Sequence, residues 1–167
     1  MTLLARPLSA LAALTLIGAA AAHTFLKSST PENGSTLAEA PSEVTLEMKE
    51  AVEVRFSIFK VYPLETSPEL SRRELTAAAE ALIEEVLELR DDDEARVDTG
   101  VVTEERTTPT ITLSLREDLE PGSYLVMWRA LSIDGHTTEG FIIFTFDPEQ
   151  LPAGESDVDH NLAAAGD

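Results

Sequence analysis

The sequence predicts an all-β sandwich or barrel that is interrupted by a single amphipathic helix. The chain has 167 residues, of which 43% are hydrophobic, and this size and composition favour one domain with a substantial core. Most apolar residues occur in short segments separated by turns that contain proline or glycine, as in sandwiches and barrels. Only between residues 65 and 95 do apolar residues recur at intervals of three and four, which is the spacing of a helix.

The predicted strands lie on both sides of this helical segment. They comprise residues 25–28, 44–48, 52–61, 97–102, 111–115, 124–131 and 141–146. Phe59 and Val61 have the opposite parity from the apolar residues before them, so a bulge or a change of face is expected near residues 57–59. Residues 124–131 are apolar on both faces, which predicts a central strand of the sandwich.

The helical segment begins with a predicted capping box, formed by Ser71 and Glu74. The apolar residues that follow at helical spacing are Leu75, Ala79, Leu82, Val86 and Leu89. This spacing predicts an amphipathic helix of about five turns over residues 71–90, within an insertion at about residues 67–92. We expect the helix to cover one sheet; the alternative is that it forms a docking surface for a partner.

The chain is strongly acidic, with 31 Asp and Glu residues against 12 Lys and Arg and a formal net charge of -19. This charge argues against a nucleic-acid partner and suits a soluble protein that meets cations or basic partners. Residues 91–93 are three consecutive aspartates that lack the ligand spacing of a calcium loop, so they are predicted to form a solvated loop. The absence of cysteine excludes disulfides and thiolate metal sites.

The first 22 residues have the pattern of a cleaved signal peptide. A positive residue, Arg6, precedes a short apolar run, and small residues at 20–22 provide a cleavage site. Cleavage there would make His23 the first residue of the mature protein, whereas the alternative is a retained N-terminal anchor. We expect the folded domain to span residues 23–148, and residues 149–167 to form a disordered acidic tail in which His160 is solvated.

A mature chain that begins at His23 would have unusual metal-binding chemistry. The α-amino nitrogen and the ring Nδ1 of a terminal histidine can both bind one ion, so a single residue supplies two donors. Asp134 and His136, on either side of Gly135, can add a carboxylate oxygen and a third nitrogen. A tetragonal set of nitrogen and oxygen donors favours Cu(II). His136 alone would be read as an ordinary turn residue, but the two histidines together predict a Cu(II) site.

The two ends of the predicted domain resemble one known family. The segment HTFLKSSTPENGSTLAEAPSEVTLEMKEAVEVRFS is similar to the mature start of the CopC family of periplasmic copper-binding proteins, and LEPGSYLVMWRALSIDGHTTEGFIIFTF is similar to its closing pattern. The resemblance implies a Greek-key β-sandwich, of the immunoglobulin-like or cupredoxin-like kind, into which the helix is inserted. It also implies that His23, Asp134 and His136 bind Cu(II). Glu50 would be a carboxylate close to these ligands or an alternative oxygen donor, or simply an exposed residue at a strand end.

The sequence departs from the family in its methionines and in the helix. Some members bind Cu(I) through a methionine-rich segment, because thioethers are the soft donors that Cu(I) requires. Here Met48 and Met127 lie singly in predicted strands, so no thioether site is expected. The helix at residues 71–90 replaces what is usually a short loop.

We therefore expect a monomeric, non-enzymatic Cu(II) carrier that is exported to the periplasm. It would buffer copper outside the cytoplasm or carry it to an inner-membrane copper transporter. One alternative is a copper-dependent polysaccharide monooxygenase, which also binds copper through an N-terminal histidine but needs open coordination positions and a flat substrate face. The other is a metal-free interaction module that docks a partner through its helix.

Overall fold

A computed structural model describes residues 25–66 and 70–150 of the chain. In this part the chain forms β1 (Leu26–Thr30), β2 (Thr36–Leu37), β3 (Glu43–Glu53), β4 (Ile58–Leu64), α1 (Arg72–Val86), β5 (Asp98–Val101), β6 (Thr107–Leu115), β7 (Gly122–Leu131) and β8 (Thr137–Phe146). The predicted signal peptide, His23, His160 and the predicted tail beyond Gln150 lie outside the described residues. None of the helices in the described ranges has the length and apolar character that crossing a membrane requires.

The strands form two stacked sheets of four strands each within the described residues. The order is β1-β3-β6-β5 in the first sheet and β2-β8-β7-β4 in the second. Because the chain crosses between the sheets after β1, β2, β3, β4 and β6, strands that are neighbours in sequence often lie in different sheets. The fold is a Greek-key β-sandwich, as the resemblance noted above implies.

The main core lies between the two sheets and is formed by residues that alternate along the strands. Ile111, Leu113 and Leu115 of β6 face it, as their period-two spacing predicts. Trp128 of β7 and Phe144 of β8 are the largest fully buried side chains. This core fixes the hairpin of β7 and β8, whose connecting loop carries Asp134 and His136.

Helix α1 covers the outer face of the second sheet. Ala79 and Val86 of the helix are buried against Leu125 and Met127 of β7 and Ile143 of β8. The prediction that the helix covers a sheet is confirmed, and it explains why β7 is apolar on both faces. The capping box at the helix start is also present as predicted.

The C-terminal end of the helix and the acidic loop after it differ from the sequence-based expectation. The helix ends at Val86 rather than at residue 90, and Asp92, predicted to be solvated, is buried. The cause is Lys60 of β4, whose ammonium group donates to the carbonyl oxygens of Val86 (2.8 Å) and Leu89 (2.7 Å) and to Asp92 Oδ2 (2.5 Å). A buried ammonium group requires such partners, so the loop folds back over the sheet to supply them.

Asp92 is held in its charged form by these neighbours. Burial by itself would raise the pKa of its carboxyl, but hydrogen bonds from Lys60 and from the Tyr62 hydroxyl lower it below the usual range. Burial, followed by the hydrogen bond to Asp92, raises the pKa of Tyr62. Asp92 is therefore part of the structure that fixes the helix to the sheet.

The connection between β3 and β4 also differs from the expectation. β3 continues through residues 50 and 51, where the sequence predicts a break, and its pairing with β6 shifts register between Glu47 and Val52. The chain then forms a 3-10 turn at Val54–Phe56, which leaves Phe56 74% exposed. The strand expected over residues 52–61 is therefore interrupted by a turn. Val52 and Phe59 face the main core whereas Ile58 faces the helix, so the change of face expected near residues 57–59 is present and is produced by this turn.

Candidate metal site

The candidate site lies on the loop that joins β7 to β8. The amide of Gly135 donates to the carbonyl oxygen of Ser132 (3.0 Å), and the amide of Ser132 donates to the carbonyl oxygen of His136 (2.9 Å). Gly135 has a φ of 87°, a left-handed conformation that other residues rarely adopt. These features make a tight turn that brings Asp134 and His136 to the same side.

Strand β3 holds this loop in place. The amide of Ile133 donates to the carbonyl oxygen of Ala51 (3.2 Å), and Ser132 forms an isolated antiparallel bridge with Val52. Val52 pairs with Thr108 of β6 on one edge of β3, and the pairing with β1 on the other edge extends only to Met48, so beyond Met48 that second edge is open to the loop. Glu50, adjacent to Ala51, is thereby brought to the same end of the sandwich as the loop.

The side chains of Asp134 and His136 are in direct contact. Asp134 Oδ2 lies 2.9 Å from His136 Nδ1, and Asp134 Oδ1 accepts a hydrogen bond from the His136 amide (3.1 Å) and another from the Ser132 hydroxyl. The His136 side chain is 82% exposed and that of Asp134 is 52% exposed. An oxygen and a nitrogen that can both bind metal are thus adjacent and accessible from solvent.

These contacts change the acidity of both groups. The hydrogen bond from the Ser132 hydroxyl, followed by those from the amide and the ring of His136, lowers the pKa of Asp134 to about 2. Asp134 raises the pKa of His136 above its usual value, first through the hydrogen bond and then through its charge, and the charge of Glu50 adds to the effect. The pair therefore combines a carboxylate that stays ionised with an imidazole of increased basicity.

The structure brings together two of the three predicted ligands and places Glu50 near enough to act on His136 through its charge. His23 lies outside the described residues, so its position as a ligand remains a prediction. Within residues 25–66 and 70–150, no group of three or more His, Cys, Asp or Glu side chains is arranged to hold a metal ion. A complete site therefore requires a donor from elsewhere, which is the part that the sequence assigns to His23.

Other side chains clarify the chemistry near the site. Met48 and Met127 are buried in β3 and β7, as their places in predicted strands indicate. Ser132 contacts the Asp134 carboxylate, and sequence reasoning did not identify this role, although Ser132 stands in the same SIDGH segment. Two large apolar residues remain exposed in this region. Ile133 lies in the loop itself, and Phe56 precedes Ser57, whose hydroxyl accepts a hydrogen bond from the Leu131 amide at the end of β7.

Comparisons with known proteins identify the family to which this fold belongs. One similar solved structure is CopC from Methylosinus trichosporium OB3b, which is 26% identical with a TM-score of 0.52, over 77% of this chain and 98% of that one. Another is PcoC, a methionine-rich copper resistance protein from Escherichia coli, which is 25% identical with a TM-score of 0.51, over 74% of this chain and 97% of that one. A copper transport protein of Bacillus subtilis (strain 168), CutJ, is 28% identical over 125 residues, which are 74% of this chain but only 18% of that protein. The CopC domain family matches residues 26–86 and 74–147, which run from β1 to the end of β8, and the chain belongs to the CopC family.

Proposed function

We propose that this protein binds Cu(II) through His23, Asp134 and His136 and carries or buffers copper outside the cytoplasm. The observation that carries the proposal is the exposed contact of 2.9 Å between Asp134 Oδ2 and His136 Nδ1, in a chain of the CopC family. Two ligands at adjacent corners of a square, each about 2.0 Å from a metal, are about 2.8 Å apart. The spacing of the two atoms therefore suits a tetragonal ion such as Cu(II), which would replace the proton that they share.

His23 would supply the remaining nitrogen donors. Leu26, the first residue of β1, pairs with Met48 in an antiparallel register, so the chain enters β1 from the end at which Glu50 and Ala51 lie. His23 precedes Leu26 by three residues, which span at most roughly 10 Å. That distance is consistent with a terminal chelate near the loop that Ala51 holds.

The proposed chelate also requires that the residues before His23 be removed. The chelate needs a free α-amino group on His23, and removal of residues 1–22 as a signal peptide would provide it. We propose that the mature protein is a periplasmic monomer. N-terminal sequencing of the exported protein should begin at His23; a different first residue would remove the chelate and favour a metal-free interaction module.

Transfer to a membrane transporter is the second part of the proposal. The chain is similar to a segment that makes up 18% of a copper transport protein, so such a domain also occurs within a larger protein of that kind. Phe56 and Ile133 expose apolar surface beside the site, as an encounter with another protein would use. The proposed acceptor is an inner-membrane copper transporter.

The proposal does not include an enzymatic activity. A copper-dependent monooxygenase needs an open position for oxygen, which Asp134 would occupy, and a flat face for its substrate. Trp128, Tyr124 and Phe144 are buried in the core rather than displayed at such a face. Oxidation of polysaccharide by the copper-loaded protein in the presence of a reductant would overturn this part of the proposal.

Copper titration of the mature protein tests the site. The wild type should bind one Cu(II) per chain, and His136→Ala should weaken binding by at least about a hundredfold, because loss of a ligand exceeds the 10–100-fold effect typical of outer partners. His160→Ala is the matched control and should bind like the wild type. A glycine added before His23 should also weaken binding. Equal affinities for the wild type and His136→Ala would overturn the proposed site.

A further inference from the structure

The buried hydroxyl of Ser132 has an unusual position for a polar group. Ser132 is only 2% exposed, although the loop that it begins is largely accessible to solvent. A buried hydroxyl without a partner would cost free energy. The partner that it finds is the Oδ1 atom of Asp134, two residues further along the chain.

The backbone of Ser132 has a separate function from its side chain. Its amide and carbonyl groups close the turn by bonding to His136 and Gly135, and its bridge with Val52 connects the loop to β3. The hydroxyl takes no part in these bonds. Replacement of Ser132 by alanine therefore removes the contact with Asp134 and leaves the bonds that shape the loop.

The hydroxyl bond restricts the orientation of the Asp134 carboxylate. Oδ1 accepts from both the Ser132 hydroxyl and the His136 amide, and Oδ2 is left directed at His136 Nδ1. A carboxylate with one donor fewer at Oδ1 can rotate about χ1 and χ2 among other staggered arrangements. Since the side chain of Asp134 is half exposed, few other contacts prevent this rotation.

We propose that Ser132 is a positioning residue of the copper site, whose hydroxyl aims Asp134 Oδ2 at the position that the metal would share with His136 Nδ1. This inference rests on the proposed function for the role of copper, but the orientation of Asp134 is a property of the copper-free protein. Ser132 does not contact the metal. It acts by fixing the ligand before the metal arrives, so that less ordering is required on binding.

The test compares Ser132→Ala, Ser132→Thr and a matched control, Ser123→Ala. Ser123 lies in β7, the strand that ends one residue before Ser132, and its hydroxyl bonds to Thr145 at the far end of the hairpin. In the copper-free proteins, three-bond couplings measured by NMR report the χ1 rotamer of Asp134. The wild type and Ser123→Ala should show a single rotamer, Ser132→Ala should show averaged couplings, and Ser132→Thr should restore the single rotamer because it keeps the hydroxyl.

Competition titration with a chelator then measures the effect on copper. Ser132→Ala should lose about tenfold in Cu(II) affinity, at the lower end of the range for partners that orient a ligand, and Ser132→Thr should recover most of this loss. In a background of Asp134→Ala, the serine substitution should have no further effect, since its action passes through that carboxylate.

The outcomes separate this inference from the proposed function. Unchanged Asp134 couplings in Ser132→Ala, or an equal loss of affinity with and without Asp134, would overturn the positioning role. If the wild type binds no copper, the proposed function is overturned. If Ser132→Ala nevertheless shows averaged Asp134 couplings, the orientation of Asp134 by Ser132 is supported. Circular dichroism on each variant shows whether the fold is retained. If Ser132→Ala unfolds, Ser132→Val, which has the shape of threonine without its hydroxyl, is compared with Ser132→Thr by the same couplings.

Discussion

Two aspartates of this protein have the same kinds of partner and lie in opposite environments. Asp92 accepts hydrogen bonds from the Tyr62 hydroxyl and from a basic side chain, Lys60, and Asp134 accepts them from the Ser132 hydroxyl and from His136. The side chain of Asp92 is 3% exposed, whereas that of Asp134 is 52% exposed. In both cases the partners lower the pKa of the carboxyl group.

The difference in burial gives the two groups different uses. The ammonium group of Lys60 donates to Val86, Leu89 and Asp92, so each of its three N–H groups has an acceptor. These bonds fix the end of helix α1 to the sheet. Among the residues that the structure describes, the ring of His136 has a single side-chain partner, and it is open to solvent. A carboxylate with a hydroxyl and a base is therefore a structural anchor where it is buried, and a ligand pair where it is exposed.

The largest expected effect is the loss of the buried anchor. Asp92→Ala leaves the Lys60 ammonium group buried without its counter-ion, which should lower the free energy of unfolding by about 3–5 kcal/mol. Urea denaturation at neutral pH measures this change. Because the pKa of Asp92 is lowered in the folded protein, its contribution is present above its unfolded pKa and is lost as the pH falls through the lower folded value.

The neighbouring aspartate provides the control for this comparison. Asp93 has an exposed side chain 3.6 Å from Arg96, so Asp93→Ala should change stability by only about 0–1 kcal/mol. Both variants, while folded, should bind copper like the wild type, because the anchor lies under the helix and the ligand pair at the end of the β7–β8 hairpin. A loss of copper affinity in folded Asp92→Ala would show that the two regions are not independent.

The contrast between the two aspartates also shows which features a sequence can predict. The alternation of Ile111, Leu113 and Leu115 is local, and so is the turn that brings Asp134 beside His136; both are confirmed. Asp92 is bound by a lysine 32 residues away, and no local pattern indicates that contact. The partner of the Ser132 hydroxyl depends on a rotamer, which a residue pattern does not determine.

A smaller effect is expected from the turn that shapes the exposed pair. Gly135→Ala would force alanine into a φ of 87°, although its Cβ would meet no atom within 4 Å, so the cost is backbone strain of about 1–2 kcal/mol. The turn that aligns Asp134 with His136 should loosen and copper binding should weaken. Calorimetric unfolding and copper titration measure the two effects.

Gly122 is the matched control for this substitution. It begins β7 with an ordinary φ, and a Cβ added there would also meet nothing within 4 Å. Gly122→Ala should therefore change stability by no more than about 0.5 kcal/mol and should leave copper binding unaltered. If the two glycine variants bound copper equally, the geometry of the turn would not be needed for the ligand pair.

The smallest effect concerns protonation of the exposed pair in the copper-free protein. Asp134 raises the pKa of His136, so Asp134→Asn should lower the midpoint of the His136 titration, measured by NMR, towards 6.5. The stabilisation from His136 is fully present below its unfolded pKa and is lost as the pH rises through its raised folded pKa. The stabilisation from Asp134 is present above its unfolded pKa and is lost as the pH falls through its folded pKa of about 2. The difference in stability between wild type and variant should therefore be confined to the window between these limits. An unchanged His136 midpoint in Asp134→Asn would mean that solvent screens the exposed pair completely, and exposure would then separate the two aspartates more sharply than their shared partners suggest.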